Sequence, residues 1–245
     1  LRALDETASS IKPLTIPRLG AGYHDQQVVE GIASATGIRQ RLRDGESVDN
    51  LLPEETGFLL ARWLESGVAV DDDYFFRLVL ARIHQGSDSL RSIYQIGDGL
   101  ANRLLEMADQ ARNYEELVTG VKSRQLTRTR IQRALCYLLN DVQNEQMNRF
   151  LESGPLYLHL LGCSPAGENF LAYCRKKVEI PIVNNYSRVY VLLKRFYGAD
   201  SPRYRMACEF LELELHATRN YTLLMRNWQG GNRNQDFFEE VRRIG

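Results

Sequence analysis

The sequence predicts a mainly α-helical chain that opens with a short stretch of α/β character and carries one small βαβ-like insert. Three observations predict this. From Pro53 onward, apolar residues recur at spacings of three and four almost without a break, the period of helices that bury one face. Ahead of them, Ile11 to Leu19 alternates Leu14, Thr15 and Ile16 between Pro13 and Pro17, which forbid a long helix and suit a strand. Further on, Leu156 to Leu161 is a short apolar run closed by Gly162, as a buried strand would be, and Ile180 to Val183 is a second strand that can lie beside it.

Each element has its own reason. Leu1 to Thr7 reads as the last turns of a helix. Gly20-Ala21-Gly22-Tyr23-His24-Asp25 is a loop by its glycines. Ser34 stands where an N-cap belongs, before a short helix from Thr36 that closes at Gly45. Pro53-Glu54-Glu55 opens the next helix, with proline in the first turn and acids near the positive end. Tyr74 to Ile83, Leu90 to Ile96, Gly99 to Ala111, Tyr114 to Val121 and Thr127 to Gln143 continue the helical series. Gly167 to Lys177 is a helix with a basic last turn, which joins the two insert strands; Val189 to Tyr197 and Arg203 to Arg226 close the chain. The domain boundary is expected at residues 45 and 46, with the insert at about 155–185 of the second domain.

Composition narrows the function classes. Hydrophobic residues make up 44% and charged residues 25%, which excludes an intrinsically disordered chain. Lys and Arg number 31 against 31 Asp and Glu, so the chain is not a polycation as a whole, although a local basic patch remains open. Cys136, Cys163, Cys174 and Cys208 form no CxxC pair, so no metal site is expected from them and they read as reduced thiols of a cytoplasmic protein. No run of about 18 apolar residues could span a membrane, and no basic-then-apolar leader is present.

Two constellations could carry chemistry. Ser34-Ala35-Thr36-Gly37-Ile38-Arg39 places hydroxyls and backbone amides at a helix start with an arginine one turn on, which suits an anion. Arg18, at the end of the first strand, could converge on the same anion. The same pattern also fits an ordinary cap with an exposed arginine. Lys122, Arg124, Arg128, Arg130 and Arg133 form the second set, in a stretch with no acid among them. Three of these arginines fall near the positive end of the helix that Thr127 caps, where the dipole disfavours cations by up to ~1 kcal/mol each. A bound polyanion such as an RNA backbone would relieve this; a solvated helix face is the alternative. Asp71-Asp72-Asp73 reads as a cap followed by first-turn acids rather than a metal site, and His159 as a satisfied core histidine.

The residues also carry a resemblance. Ile11-Lys12-Pro13, Ile16-Pro17-Arg18, Gly20-Ala21-Gly22-Tyr23-His24-Asp25 and Ile32-Ala33-Ser34-Ala35-Thr36-Gly37-Ile38-Arg39 resemble segments of the bacterial tRNA(Met) cytidine acetate ligases, of the HIGH-type nucleotidyltransferase superfamily. Gly37 replaces the family's usual alanine. Asp98-Gly99-Leu100-Ala101-Asn102-Arg103 is similar to a further family segment, with Ala101 in place of a common glutamate. The most specific match is Val121 to Arg133, and the resemblance covers most of residues 9–165.

The resemblance implies that residues 1–45 are the end of a HIGH-type α/β nucleotide-binding domain and residues 46–245 a helical, tRNA-binding domain. It implies ATP as cofactor, with Mg2+ in the full-length enzyme, held by Arg18, Ser34, Thr36 and Arg39. It also implies acetate and tRNA as substrates, activation of acetate as acetyl-adenylate, and transfer to the wobble cytidine. The family's HxGH motif is absent from these residues, and the chain starts at Leu1 within a helical stretch. It is therefore expected to be a later piece of a longer enzyme, inactive alone and without ATP affinity of its own. The catalytic residues and the oligomeric state stay open. Two alternatives remain: a non-catalytic RNA-binding helical module, and a HIGH-superfamily adenylyltransferase acting on a small metabolite.

Overall fold

The computed structural model describes all residues except 1, 18, 21, 23–27, 30, 230–232, 239–240 and 244–245. The chain forms two compact units, Leu1–Ser66 and Gly67–Gly245. Residues 46–66, which the sequence would give to the helical domain, lie with the first unit.

In the first unit, helix α1 spans Arg2–Glu6, α2 spans Ala35–Arg43 and α3 spans Glu54–Glu65, with a 3-10 turn at Asp49–Leu51. The strand expected at Ile11 to Leu19 is not formed. A strand exists only against a ladder partner. Here the described residues of the segment bond to no neighbouring strand, and Ile11, Leu14 and Ile16 stand 69%, 88% and 85% exposed. Pro13 and Pro17 remove two N–H donors as well. The glycine loop expected at 20–25 lies largely outside the described residues. Beyond it, Val29 and Ile32 exchange backbone hydrogen bonds of 3.0 and 2.9 Å around Gly31, whose φ of +77° suits glycine.

The second unit is mostly helical. Its first half comprises α4 (Asp72–Ile83), α5 (Ser87–Ser92), α6 (Asp98–Ala108), α7 (Tyr114–Val121), α8 (Arg128–Leu139) and α9 (Asn144–Ser153). Asp71 caps α4 by accepting from the Asp73 amide at 2.9 Å, which is the capping role expected of the acidic triplet. Val79, Ile83, Leu104, Leu117, Ile131, Leu135 and Leu138 are fully buried together as one core.

Several helices end earlier than their periodicity suggests, among them those expected to reach Ala111, Lys177 and Arg226, which stop at Ala108, Cys174 and Leu223. The Leu90–Ile96 helix is replaced by α5, which stops at Ser92, and Gln95 then adopts a left-handed φ of +65°. Likewise α8 stops at Leu139 rather than Gln143. Asn140 donates its side-chain amide back to the Cys136 carbonyl at 2.9 Å, and Asp141 turns left-handed with φ +53°.

The second half holds strands β1 (Leu158–His159), β2 (Gly162–Cys163), β3 (Ile182–Val183) and β4 (Arg242–Arg243). It also holds helices α10 (Pro165–Cys174), α11 (Val189–Tyr197), α12 (Pro202–Leu223) and α13 (Gln235–Phe238), with a 3-10 turn at Tyr186–Arg188. β1 pairs parallel with β3, Leu158 opposite Ile182, and α10 lies between them in sequence. β2 pairs parallel with β4, Gly162 opposite Arg242, a return of the chain that no periodicity announced. Phe150, Tyr157, Val183, Val189, Leu193 and Leu211 form the second core.

Helix α12, about 33 Å long at 1.5 Å per residue, joins the two halves. Its first part packs on α11 in the second core. Near its far end the Asn220 side chain donates to the Leu139 carbonyl at 3.2 Å, and the Leu224 carbonyl accepts from the Asp71 amide at 2.8 Å. All four cysteines are free thiols. Among the described residues, no helix is long and apolar enough to cross a membrane.

Candidate nucleic-acid interface

The first constellation sits on α2. Ser34 is fully buried and its hydroxyl accepts from the Gly37 amide at 3.0 Å, while its carbonyl takes the Ile38 amide at 2.9 Å. This is the capping reading of the sequence: the hydroxyl satisfies one orphan donor of the helix start, and the carbonyl accepts the first intrahelical bond. The amides of Ala35 and Thr36 and the Thr36 hydroxyl have no hydrogen-bond partner among the described residues. Arg39 is exposed one turn on and forms no ion pair among them. The helix start thus keeps its anion-binding character even though Ser34 itself is engaged. Arg18 lies outside the described residues.

The second constellation is assembled by α7, α8 and the loop between them. The loop is closed by the Ser123 amide donating to the Leu126 carbonyl at 3.2 Å and the Leu126 amide donating to the Ser123 hydroxyl at 3.2 Å. It carries Arg124 outward and sets Lys122 at the C-terminal end of α7, where a cation is favoured by the dipole. Thr127 caps α8, accepting from the Arg130 amide at 3.4 Å. Ile131, Ala134, Leu135 and Leu138 bury one face of α8, which turns Arg130 and Arg133 to the other. At a spacing of three their Cβ atoms are about 5–6 Å apart.

Arg128 behaves differently. Its guanidinium holds both oxygens of Glu115 in the first turn of α7, at 2.5 and 2.7 Å. The hydrogen bonds to Glu115 raise its pKa further above the ordinary arginine value. The pair neutralises the charge locally and fastens the start of α8 to the start of α7. Lys122, Arg124, Arg130 and Arg133 are exposed and form no ion pair among the described residues. Four positive charges are therefore concentrated at one end of the α7–α8 pair, one of them, Arg130, in the first turn of α8 where the helix dipole disfavours it.

A cleft of about 350 Å³ adjoins this end, lined by Arg91, Gln95, Asp98, Arg130 and Asn144 among others. Arg91 pairs with Asp98 at 2.6 Å, and the Asn144 amide donates to the Arg91 carbonyl at 3.1 Å. Sequence reasoning missed Gln95, Asn144 and Glu115. No local spacing rule links positions 13 apart on different helices, so the Glu115–Arg128 pair had no legible signal. His159 also departs from its expected role. It is half-buried rather than in the core, and lines a cavity in the second half.

The chain belongs to the HIGH nucleotidyl transferase family, whose model matches residues 1–236. It is similar to the tRNA(Met) cytidine acetate ligase of Syntrophotalea carbinolica, with 51% identity over 240 residues, covering 98% of this chain and 57% of that protein. The enzyme of the same name from Syntrophomonas wolfei is 31% identical over 242 residues, covering 97% of this chain and 56% of its own length. Among solved structures, Thermotoga maritima TmcAL in its apo form matches with a TM-score of 0.85 and 26% identity, over 99% of this chain and 58% of that one. The same protein bound with alpha-thio ATP matches with a TM-score of 0.81 and 25% identity, over 99% and 57%. The chain thus spans a little over half the length of these relatives.

Proposed function

We propose that this chain is the tRNA-binding portion, with part of the nucleotide site, of an ATP-dependent tRNA(Met) cytidine acetate ligase acting in the cytoplasm. The carrying observation is the set of four exposed cations without an ion pair among the described residues at the α7–α8 end, in a chain whose relatives bear that name. In this reading an acetate oxygen attacks the α-phosphorus of ATP, pyrophosphate leaves, and acetyl-adenylate forms. The exocyclic amine of the wobble cytidine then attacks the acyl carbon and AMP departs.

The residues of this chain contribute positioning and charge, which is most of what adenylation asks of a protein. The Ala35 and Thr36 amides and the Thr36 hydroxyl take phosphate oxygens. Arg39, together with Arg18, neutralises the charge that grows on the departing pyrophosphate. Ser34 holds the helix start in place rather than touching phosphate. Among the described residues no group of three or more His, Cys, Asp or Glu could hold a metal ion. Lys122, Arg124, Arg130 and Arg133 hold the tRNA backbone.

Filter binding of elongator tRNA(Met) to these 245 residues tests the reading. We expect binding that weakens steeply with salt, and the same steep dependence for other tRNAs, because phosphate contacts carry no sequence information. Absence of tRNA binding at low salt would overturn the proposal.

A further inference from the structure

A group of titratable side chains outside this interface surrounds a cavity of about 650 Å³ in the second half of the helical unit. The volume falls within the usual range for ligand sites, about 300–1,000 Å³. Its walls are largely apolar, with Leu160, Leu161 and Leu215, and its polar groups come from one aromatic side and two carboxylates.

The aromatic side is a stack. The His159 ring lies on Tyr186 with centroids 3.9 Å apart and planes 12° from parallel. Tyr186 is only 3% exposed and its hydroxyl donates to Glu214, which also accepts from the Tyr157 hydroxyl. His159 is half-buried and lines the cavity, and Tyr186 is its one stacking partner among the described residues. Burial holds the imidazole below its ordinary pKa, so it presents a neutral face.

The acidic side has unused acceptors. Glu214 receives both tyrosines on Oε2, and Asp236 receives the Thr218 hydroxyl on Oδ2. Glu214 Oε1 and Asp236 Oδ1 have no hydrogen-bond partner among the described residues, and neither is sealed off from solvent. Arg242, brought to the rim by the β2–β4 pairing, is exposed and forms no ion pair among them. A ring to stack on, acceptors beside it and a cation at the mouth suit a planar heterocycle with an exocyclic amine and a phosphate.

We propose that this cavity binds an amino-bearing nucleobase, its ring continuing the Tyr186–His159 stack, its amine donating to Glu214 Oε1 or Asp236 Oδ1, and its phosphate at Arg242. Uracil presents carbonyl oxygens where adenine and cytosine present amines, so two carboxylates discriminate against it. The base could be supplied by an unpaired nucleotide of a bound RNA or by a free nucleotide. Only the RNA source rests on the tRNA reading above.

The test is titration of CMP, AMP and UMP into the 245-residue chain, followed by NMR shifts or calorimetry. CMP and AMP are expected to bind at least about tenfold more tightly than UMP, as one charge-assisted hydrogen bond requires. His159→Ala should weaken CMP and AMP about tenfold, while His159→Phe, which keeps a ring, stays within about threefold. Asp236→Asn, which can still accept from Thr218, should shrink the difference between CMP and UMP. Equal binding of all three nucleotides, or no binding of any, overturns the proposal; so does His159→Ala without effect in a protein whose melting is unchanged. Repeating His159→Ala with tRNA separates the sources: weakened tRNA binding places the nucleotide in the RNA, and unchanged tRNA binding assigns it to the free pool. Failure of mononucleotide binding beside intact, salt-sensitive tRNA binding would sink this inference alone.

Discussion

Replacing Arg130 and Arg133 together by alanine removes two of the four exposed cations at the α7–α8 end and leaves the Arg128–Glu115 pair in place. If each of the four meets one phosphate, log K falls against log salt with a slope of about −3.6, and the double variant halves it to about −1.8. Between 50 and 200 mM salt the native chain then loses about 150-fold in tRNA affinity and the variant about 12-fold. The fold is not at risk. Both side chains are exposed, alanine is the better helix former, and removing Arg130 from the first turn of α8 relieves an unfavourable dipole by a few tenths of a kcal/mol. Filter binding across a salt series, with thermal melting as the control, reads both effects. An unchanged slope in a normally melting variant would refute the assignment of these residues to phosphate contacts.

Further expectations concern the architecture. Arg128→Ala should cost no more than about 1 kcal/mol in denaturant unfolding, since both partners are partly exposed. It should also lower the salt slope less than Arg130→Ala does. Leu135→Ala, at a fully buried position of the first core, should cost about 2–5 kcal/mol in the same assay; a smaller loss would mean that this core is looser than its burial indicates. Burial first, and then the bonds to Glu214, hold Tyr157 and Tyr186 far above the ordinary tyrosine value. Because the folded state keeps these protons longer than the unfolded one, their contribution is complete below about pH 10 and is lost as pH rises beyond it. Each can steepen the alkaline loss by up to about 1.4 kcal/mol per pH unit, and Tyr157→Phe should flatten it in urea melts at pH 10–11.

Much of the helical body was legible because its cues are local. Ser34, Asp71 and Thr127 cap helices by bonds spanning two or three residues, and Tyr114–Val121 and Val189–Tyr197 form helices at the bounds their apolar spacing suggests. What escaped depends on long-range or non-periodic causes. Ile11 to Leu19 has the alternation of a strand, but alternation cannot supply a partner. Gln95 and Asp141 end or displace helices by left-handed turns without glycine. β4 returns from the far end of the chain to Gly162, and α9 falls between Gln143 and Leu156, where the sequence reading gave no element.

The candidate sites divide the same way. The hydroxyls and cations were visible as residue types in a cluster. That Ser34 is occupied as a cap, and that Arg128 is taken by Glu115, emerges only when the helices are in place. His159 on its apolar run suggested a core position, and the cavity beside it owes its wall to Val241 and Arg242, more than 80 residues away.

In the proposed function the α7–α8 end delivers tRNA to an acetate-activating enzyme. The most direct measurement is N4-acetylcytidine formation in elongator tRNA(Met), with ATP and acetate, by the full-length protein carrying Arg130→Ala and Arg133→Ala. A raised KM for tRNA is expected, with kcat and the KM for ATP little changed. An unchanged KM for tRNA, or no acetylation by the unsubstituted protein, would contradict it.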